Sequence, residues 1–518
     1  MTKPGTVISS IVCLTCLAAF LHAADQPQWG QRHSRNMVSD EKGLADDFSA
    51  GTKKPNSKEI DLSTTRNVKW VVKTGSETFG GPVVAGGKVF IGTNNSYPRD
   101  ARHRGDRGVL MCFEEATGKF LWQLVVPKLT TIQNADWHYV GIASPPTVEG
   151  KRLYVVSNRG EVLCLDTEGM ANGNDGAFKD EDKHMAKPGE PPIEPGPGDG
   201  DIIWCYDMVG RLGVSPHNAS NCSILLDGDL LYVCTSNGVE WTHQQVPSTE
   251  APTLIVLDKK TGALVARDNE RIAPGIAHGQ WCSPTMGKVN GRALVFFGAG
   301  NGVCYAFEPA AAPAGGSGAA FLKKVWSFTC YPSDPHPTDS LPPKDRPRTE
   351  INCIYSSPVL HNNRVYVAGG KDIWHGGPGG RLFCIDAAKT GDITQAGPVW
   401  SYETGRCIST VSMADGLLYI AGEDGRVHCL DGDTGRAYWV HQTRGPIWGG
   451  TLVADSKVYV GNGRGEFWIL AAGKEKKVIN KIEVSPGVCN VAVAANGVLY
   501  VASQEHLYAI APAAQPGK

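Results

Sequence analysis

The stretch Leu430-Asp431-Gly432-Asp433-Thr434-Gly435, with Leu417-Leu418-Tyr419-Ile420-Ala421 before it and Trp439 after it, decides the fold. The upstream run alternates as a half-buried strand does. At the turn, an Asp side chain accepts from backbone two residues on, and Gly supplies the positive φ of a short hairpin loop. The segment therefore predicts strand, strand, tight turn and a last strand carrying the tryptophan.

The same unit recurs along the chain. It appears as Phe113-Glu114-Glu115-Ala116-Thr117-Gly118 followed by Trp122, as Leu257-Asp258-Lys259-Lys260-Thr261-Gly262, and as Ile385-Asp386 with Lys389-Thr390-Gly391. Weaker copies begin at Leu165, Phe307, Leu470 and Ile510. Successive starts lie 52, 92, 50, 78, 45, 40 and 40 residues apart. The shortest spacing accommodates four strands, the size of a propeller blade. Eight copies predict an all-β chain: an eight-bladed β-propeller of four-stranded antiparallel blades. Trp70, Trp122, Trp204, Trp326, Trp400 and Trp439 fall at or near fourth strands, where they are expected to pack between blades. The last copy stops after a third strand, Leu507-Tyr508-Ala509-Ile510, whereas Asn67-Val68-Lys69-Trp70-Val71-Val72-Lys73 is an orphan fourth strand. Pairing the two closes the ring and removes an exposed edge. The propeller is thus expected over residues 67–512, after an N-terminal extension (25–66) and before a short tail (513–518).

Composition agrees with a globular chain: 518 residues, 41% hydrophobic and 20% charged, with formal net charge -2. Such a balance argues against a nucleic-acid partner. Lys3, the apolar run Ile8–Leu21 and the small residues Ala23 and Ala24 predict a signal peptide over residues 1–24 and a periplasmic or secreted protein. No later segment is long and apolar enough to span a membrane. The residues before Cys13 and Cys16 match a lipoprotein cleavage box poorly. Thirteen of the fifteen cysteines follow the leader, so at least one thiol stays unpaired within the chain. Several, such as Cys112 and Cys429, sit in apolar strand patterns and are read as small core residues.

The repeated strand–AspXXThrGly–Trp unit resembles the pyrroloquinoline-quinone (PQQ)-like propeller repeat of quinoprotein alcohol dehydrogenases and of BamB-type envelope proteins. Gln28-Trp29-Gly30, Pro216-His217-Asn218-Ala219-Ser220-Asn221-Cys222 and His278-Gly279-Gln280-Trp281 resemble a group of exported bacterial members. The dehydrogenase branch implies PQQ with calcium. There the cofactor stacks between a Trp and a ring formed by adjacent cysteines, and acidic and amide side chains hold the calcium. This sequence has no Cys-Cys pair, and its acidic residues do not map onto those ligands. The BamB branch implies non-enzymatic scaffolding.

Loops between blades and those between second and third strands share one face of a propeller. Most long insertions belong to that face: 92–107, 128–142, 208–220, 237–251, 268–281, 330–352 and 369–380. The opposite face receives 167–200 and 309–321. Binding residues usually sit on such loops. The first-face loops carry His103, His138, His217, His243, His278, His336 and His375, together with Trp137, Trp241, Trp281 and Trp374. Trp448 lies just ahead of the seventh blade. Trp137, His138, His217, His278, Trp281 and Trp448 are the candidate funnel residues, able to stack a planar ligand or a sugar or simply to plug the channel. Arg99, Arg102, Arg104 and Arg107 form a basic loop read as solvated, and the acidic 167–200 segment is read as a flexible surface loop. No compact zinc or calcium pattern is present, so no metal is expected. Together these features favour a monomeric, non-enzymatic binding or scaffold protein of the cell envelope. Its expected partner is an envelope protein, a glycan or a small planar ligand. A PQQ-dependent alcohol or sugar dehydrogenase and a sugar-binding module are the alternatives.

Overall fold

The computed structural model describes residues 24–512 apart from 31–32, 312–317, 331–351, 373 and 375–378. It contains eight antiparallel sheets whose four core strands follow in chain order, except that the last sheet takes its outer strand from the start of the propeller. First strands begin at Val83, Thr147, Leu225, Thr285, Val359, Ser412, Leu452 and Val493. All eight third strands coincide with the sequence copies, from Arg107–Glu114 to His506–Ile510. Val68–Lys73 pairs antiparallel with His506–Ile510, which closes the ring as expected.

The turn works as its residues predict. Asp258 Oδ1 accepts from the Lys260 N–H at 3.0 Å and from the Thr261 N–H and hydroxyl, each at 2.8 Å. Gly262 follows with φ +70°. The six tryptophans tie each blade to the next: Trp70, Trp122, Trp204, Trp326, Trp400 and Trp439 donate their indole N–H to Glu115, Thr167, Lys259, Ala387, Gly432 and Gly473 carbonyls. Each accepting carbonyl lies in the following blade, beside its turn. The indoles bury large apolar area while satisfying their one donor.

Residues 24–41 do more than precede the propeller. They circle the central axis as a strap, in blade order. Gln26 pairs with Val84, and the Pro27 carbonyl accepts from the Val148 N–H. His33 and Ser34 carbonyls accept from Met286 and Leu360, Asn36 bonds Met413, and Val38–Ser39 lies parallel to Val453–Ala454. Glu41 finishes on the backbone of Asn496 and Gly497. Arg35, wholly buried, reaches back to the third blade at Ser223. Beyond the strap, Leu44, Ala45, Phe48 and Ile60 join the core shared by the last two blades.

Two expectations about surface loops change. The 167–200 segment was assigned to the opposite face as a flexible loop, but it climbs the outer edge of the first blade. The Gln123 N–H donates to Gly198, the segment carries a short helix at Glu181–Met185, and His184 sits 3.0 Å from the buried Glu161 carboxylate. Arg102 and Arg107 of the basic loop hold it there, while Arg99, Arg102 and Arg104 remain exposed as expected and Arg107 is buried. Arg107, buried, donates to the Met185 carbonyl at 2.8 Å, and Arg102 pairs with Asp199 at 2.8 Å. The insertion supplies the carboxylates and carbonyls that compensate those guanidinium groups, so no acidic partner is needed there.

Candidate functional site

The funnel is neither open nor filled. On the long-loop face it forms a cup of about 550 Å³, floored by Trp29 of the strap and walled by the residues that lead into the first strands. Phe79, Trp137, Trp281, Tyr355, Trp374 and Trp448 contribute rings. Trp448 stacks on Phe79 at 6.2 Å between centroids; Trp281 lies 4.9 Å from Tyr355 and 5.6 Å from Trp374. Between the rings lie amides and hydroxyls, including Asn218, Asn221, Asn490, Ser283, Ser357 and Thr410. Glu77 is the one carboxylate of the lining; burial pushes its pKa above the usual range, helped by Asp106. Among the described residues the lining contains no Lys or Arg. The Trp448 indole nitrogen is buried with no partner among them.

Five of the six candidates predicted from sequence meet here. Trp137, His278, Trp281 and Trp448 line the cup, and His217 lies directly behind His278, their ring centroids 4.5 Å apart. His138 does not: it is exposed and outside the lining. Trp137 stands half-exposed at the rim. Asp136 turns inward instead, held by Asn158 and Lys128. His336 and His375 lie outside the described residues, as do residues 1–23, which carry most of the expected signal peptide. Among the described residues no helix is long and apolar enough to cross a membrane.

Three loops converge to place the histidines. Gly238 donates to the Ser215 carbonyl and Val239 to the His278 carbonyl, both at 2.9 Å, which knits the loops before the third and fourth blades to one within the third. A Cβ on Gly238 would stand 2.7 Å from the His217 Cβ, so only glycine permits this approach. The Glu240 carboxylate gathers the Thr242 N–H and hydroxyl and the Gln244 and Gln245 N–H groups. Burial opposes its charge, yet these bonds hold its pKa down at about 2. The resulting turn presents His243 with φ +61°. His278 Nδ1 lies 2.9 Å from Asp372 Oδ2, which also accepts the Tyr355 hydroxyl at 2.8 Å. Sequence reasoning missed Asp372, Tyr355 and Phe79, which belong to no repeated motif. Trp29 carried a signal only as part of Gln28-Trp29-Gly30.

PQQ is the cofactor that the dehydrogenase resemblance implies. A planar tricarboxylate requires cationic partners, and the lining offers none among the described residues. Cys489 is the one cysteine of the lining, so a ring of adjacent cysteines is not available either. The described residues of the lining do not fit that cofactor.

Known proteins place the chain as follows. The structure is similar to BamB from Moraxella catarrhalis, at 13% identity over 87% of this chain and 98% of that one, TM-score 0.50. It is also similar to a europium-containing methanol dehydrogenase, at 12% identity over 92% and 89%, TM-score 0.55. A third similar structure is the quinohemoprotein alcohol dehydrogenase ADHIIG from Pseudomonas putida HK5, at 11% identity over 95% and 82%, TM-score 0.54. At such identities the likeness is one of fold. No curated protein matches the sequence. A family model described as outer membrane protein assembly factor BamB matches residues 58–174, 336–441 and 368–478, together just over half of the chain. With eight propeller repeats and that match, the chain belongs to the PQQ-like β-propeller family.

Proposed function

We propose that this propeller is a non-enzymatic binding protein of the cell envelope whose cup takes an uncharged ring compound, a sugar above all. The observation that carries the reading is the lining: seven Trp, Tyr and Phe side chains, Trp29 among them, interleaved with amides and hydroxyls around about 550 Å³, with no Lys or Arg among the described residues. Aromatic faces stack on sugar or heterocycle rings, and short polar side chains read their hydroxyls and carbonyls. The cup's size is that of a small-molecule site.

The test is a calorimetric titration of the full chain against neutral mono- and disaccharides and uncharged planar heterocycles. Binding is expected for the wild type and lost in Trp281→Ala. No heat with any of these ligands, or equal binding by Trp281→Ala, would overturn the reading.

A second reading is supported by the family description, outer membrane protein assembly factor. It makes the long-loop face a docking surface for another envelope protein. Cross-linking in intact cells from the exposed Trp241 and Trp137 at that face checks it, and an absence of adducts at both positions tells against it.

A further inference from the structure

His217, His243 and His278 come from three different loops, yet one ring nitrogen of each lies within 4.8 Å of the others. Their ring centroids are 4.5, 4.7 and 4.8 Å apart, with ring planes inclined by 60–72°. His217 and His278 are buried, whereas His243 and His278 line the cup. Three imidazolium ions so crowded would repel one another.

The second partners settle which nitrogens face inward. His217 Nδ1 donates to the Val239 carbonyl at 2.7 Å, and His278 Nδ1 donates to Asp372 at 2.9 Å. Each donor bond leaves Nε2 as the lone-pair atom. For His278, that atom lies at a long 3.4 Å from the Asn218 amide nitrogen. An imidazole whose remote nitrogen donates to a carboxylate or carbonyl is the arrangement that orients metal-ligating histidines and raises their basicity. Tyr355, bonded to the same Asp372 oxygen, fixes the carboxylate in turn.

We propose that His217, His243 and His278 bind a late first-row divalent cation of the zinc class, with its open coordination position facing the cup. Imidazole donors suit zinc, copper, nickel and iron rather than calcium or magnesium. Three histidines and one free position form a site that can polarise a bound oxygen donor. Zinc–nitrogen bonds of about 2.0–2.1 Å would draw the ligand atoms nearer than they now lie. Asp372 is a positioning residue, not a ligand.

The other cluster of this type, Asp100, His103 and Asp199, is different in kind. The Arg102 guanidinium sits 2.8 Å from Asp199 and also pairs with Asp100, so a cation already occupies that space.

The inference stands whether or not a sugar binds. It is tested on the untagged full chain, dialysed after loading with zinc or cobalt(II). Expected results are one zinc per chain by elemental analysis, visible d–d absorption for the cobalt form, and a melting temperature raised by zinc and returned by chelator. His243→Ala, altered at the least buried ligand, should fold like the wild type and retain no metal. Asp372→Asn should weaken binding about 10–100-fold while keeping the stoichiometry. Wild type that retains no stoichiometric zinc or cobalt overturns the proposal. So does His243→Ala that melts normally and still holds the ion, or an ion lost in His103→Ala instead.

Discussion

Arg35 donates to Ser223 twice, through Nη2 to the carbonyl oxygen at 2.8 Å and through Nη1 to the hydroxyl at 3.2 Å. The same guanidinium reaches the Pro284 and Trp29 carbonyls, so one side chain of the strap satisfies acceptors leading into the adjacent third and fourth blades and one in the strap itself. Burial pulls its pKa down to about 10, which still leaves it charged at neutral pH. Arg35→Leu leaves these buried carbonyls without donors, each costing about 1–3 kcal/mol. The expected loss is about 3 kcal/mol or more, read from urea unfolding of wild type and variant.

Gly262 and Gly228 both adopt positive φ, +70° and +56°. A Cβ at Gly228 meets nothing within 4 Å, whereas one at Gly262 falls 2.6 Å from the Trp204 ring. Gly228→Ala should cost about 1 kcal/mol from backbone strain alone. Gly262→Ala should cost a further 1–3 kcal/mol, roughly, because the indole must shift. Equal midpoints for the two variants would show that the indole yields freely.

Acid should destabilise the fold in two windows. Burial, reinforced by Arg426, lowers the His428 pKa to about 4. A base depressed in this way keeps its full stability above its unfolded value of about 6.5 and loses it as pH falls toward 4. Burial opposes the charge of Glu161, but His184, Arg159 and Ser157 hold its pKa at about 2. Its contribution is complete above its unfolded value of about 4.5 and disappears as pH falls toward 2. His428→Gln should flatten denaturation midpoints between pH 6.5 and 4, recovering up to about 3 kcal/mol there, and leave the lower window unchanged.

All thirteen cysteines of the described chain are free thiols, and eleven are buried. Burial pushes Cys222, Cys384 and Cys407 up to about 11, so little thiolate exists at neutral pH. Alkylation of the native protein should mark at most the half-buried Cys205 and Cys489, and unfolding should release all thirteen. A reductant should not move the melting temperature.

Trp448 carries a buried indole N–H with no partner among the described residues, so the unliganded cup tolerates an unsatisfied donor. Trp448→Phe should leave stability unchanged or slightly raised. A ligand that accepts this N–H should bind about tenfold more weakly to the variant, the value of one neutral hydrogen bond.

The sequence exposed the blades because turn chemistry repeats. Asp258-Lys259-Lys260-Thr261-Gly262 has a local mechanism, and local mechanisms survive without knowledge of tertiary context. The face assignment followed from that topology and brought His217, His278, Trp281 and Trp448 to one place. Asp372 and Tyr355 were not legible, since their roles rest on contacts between loops of adjacent blades: Asp372 with His278, and Tyr355 with Asp372 and Trp281. His138 misled for the opposite reason: its neighbour Trp137 reaches the rim, but the chain there turns the next side chain outward. The strap left no periodic trace because each of its residues meets a different blade.

That last feature bears on how the molecule assembles. The strap precedes all of its partners in the blades, which run from Val84 to Gly497. No part of the chain offers the strap its full set of acceptors until Val68–Lys73 has met His506–Ile510. Contacts so distant in sequence carry a large loop-closure cost and form slowly. Trp29 on that strap lines the cup, so the binding space is complete only in molecules whose strap is seated, and a ligand held there distinguishes them from molecules whose strap is still loose.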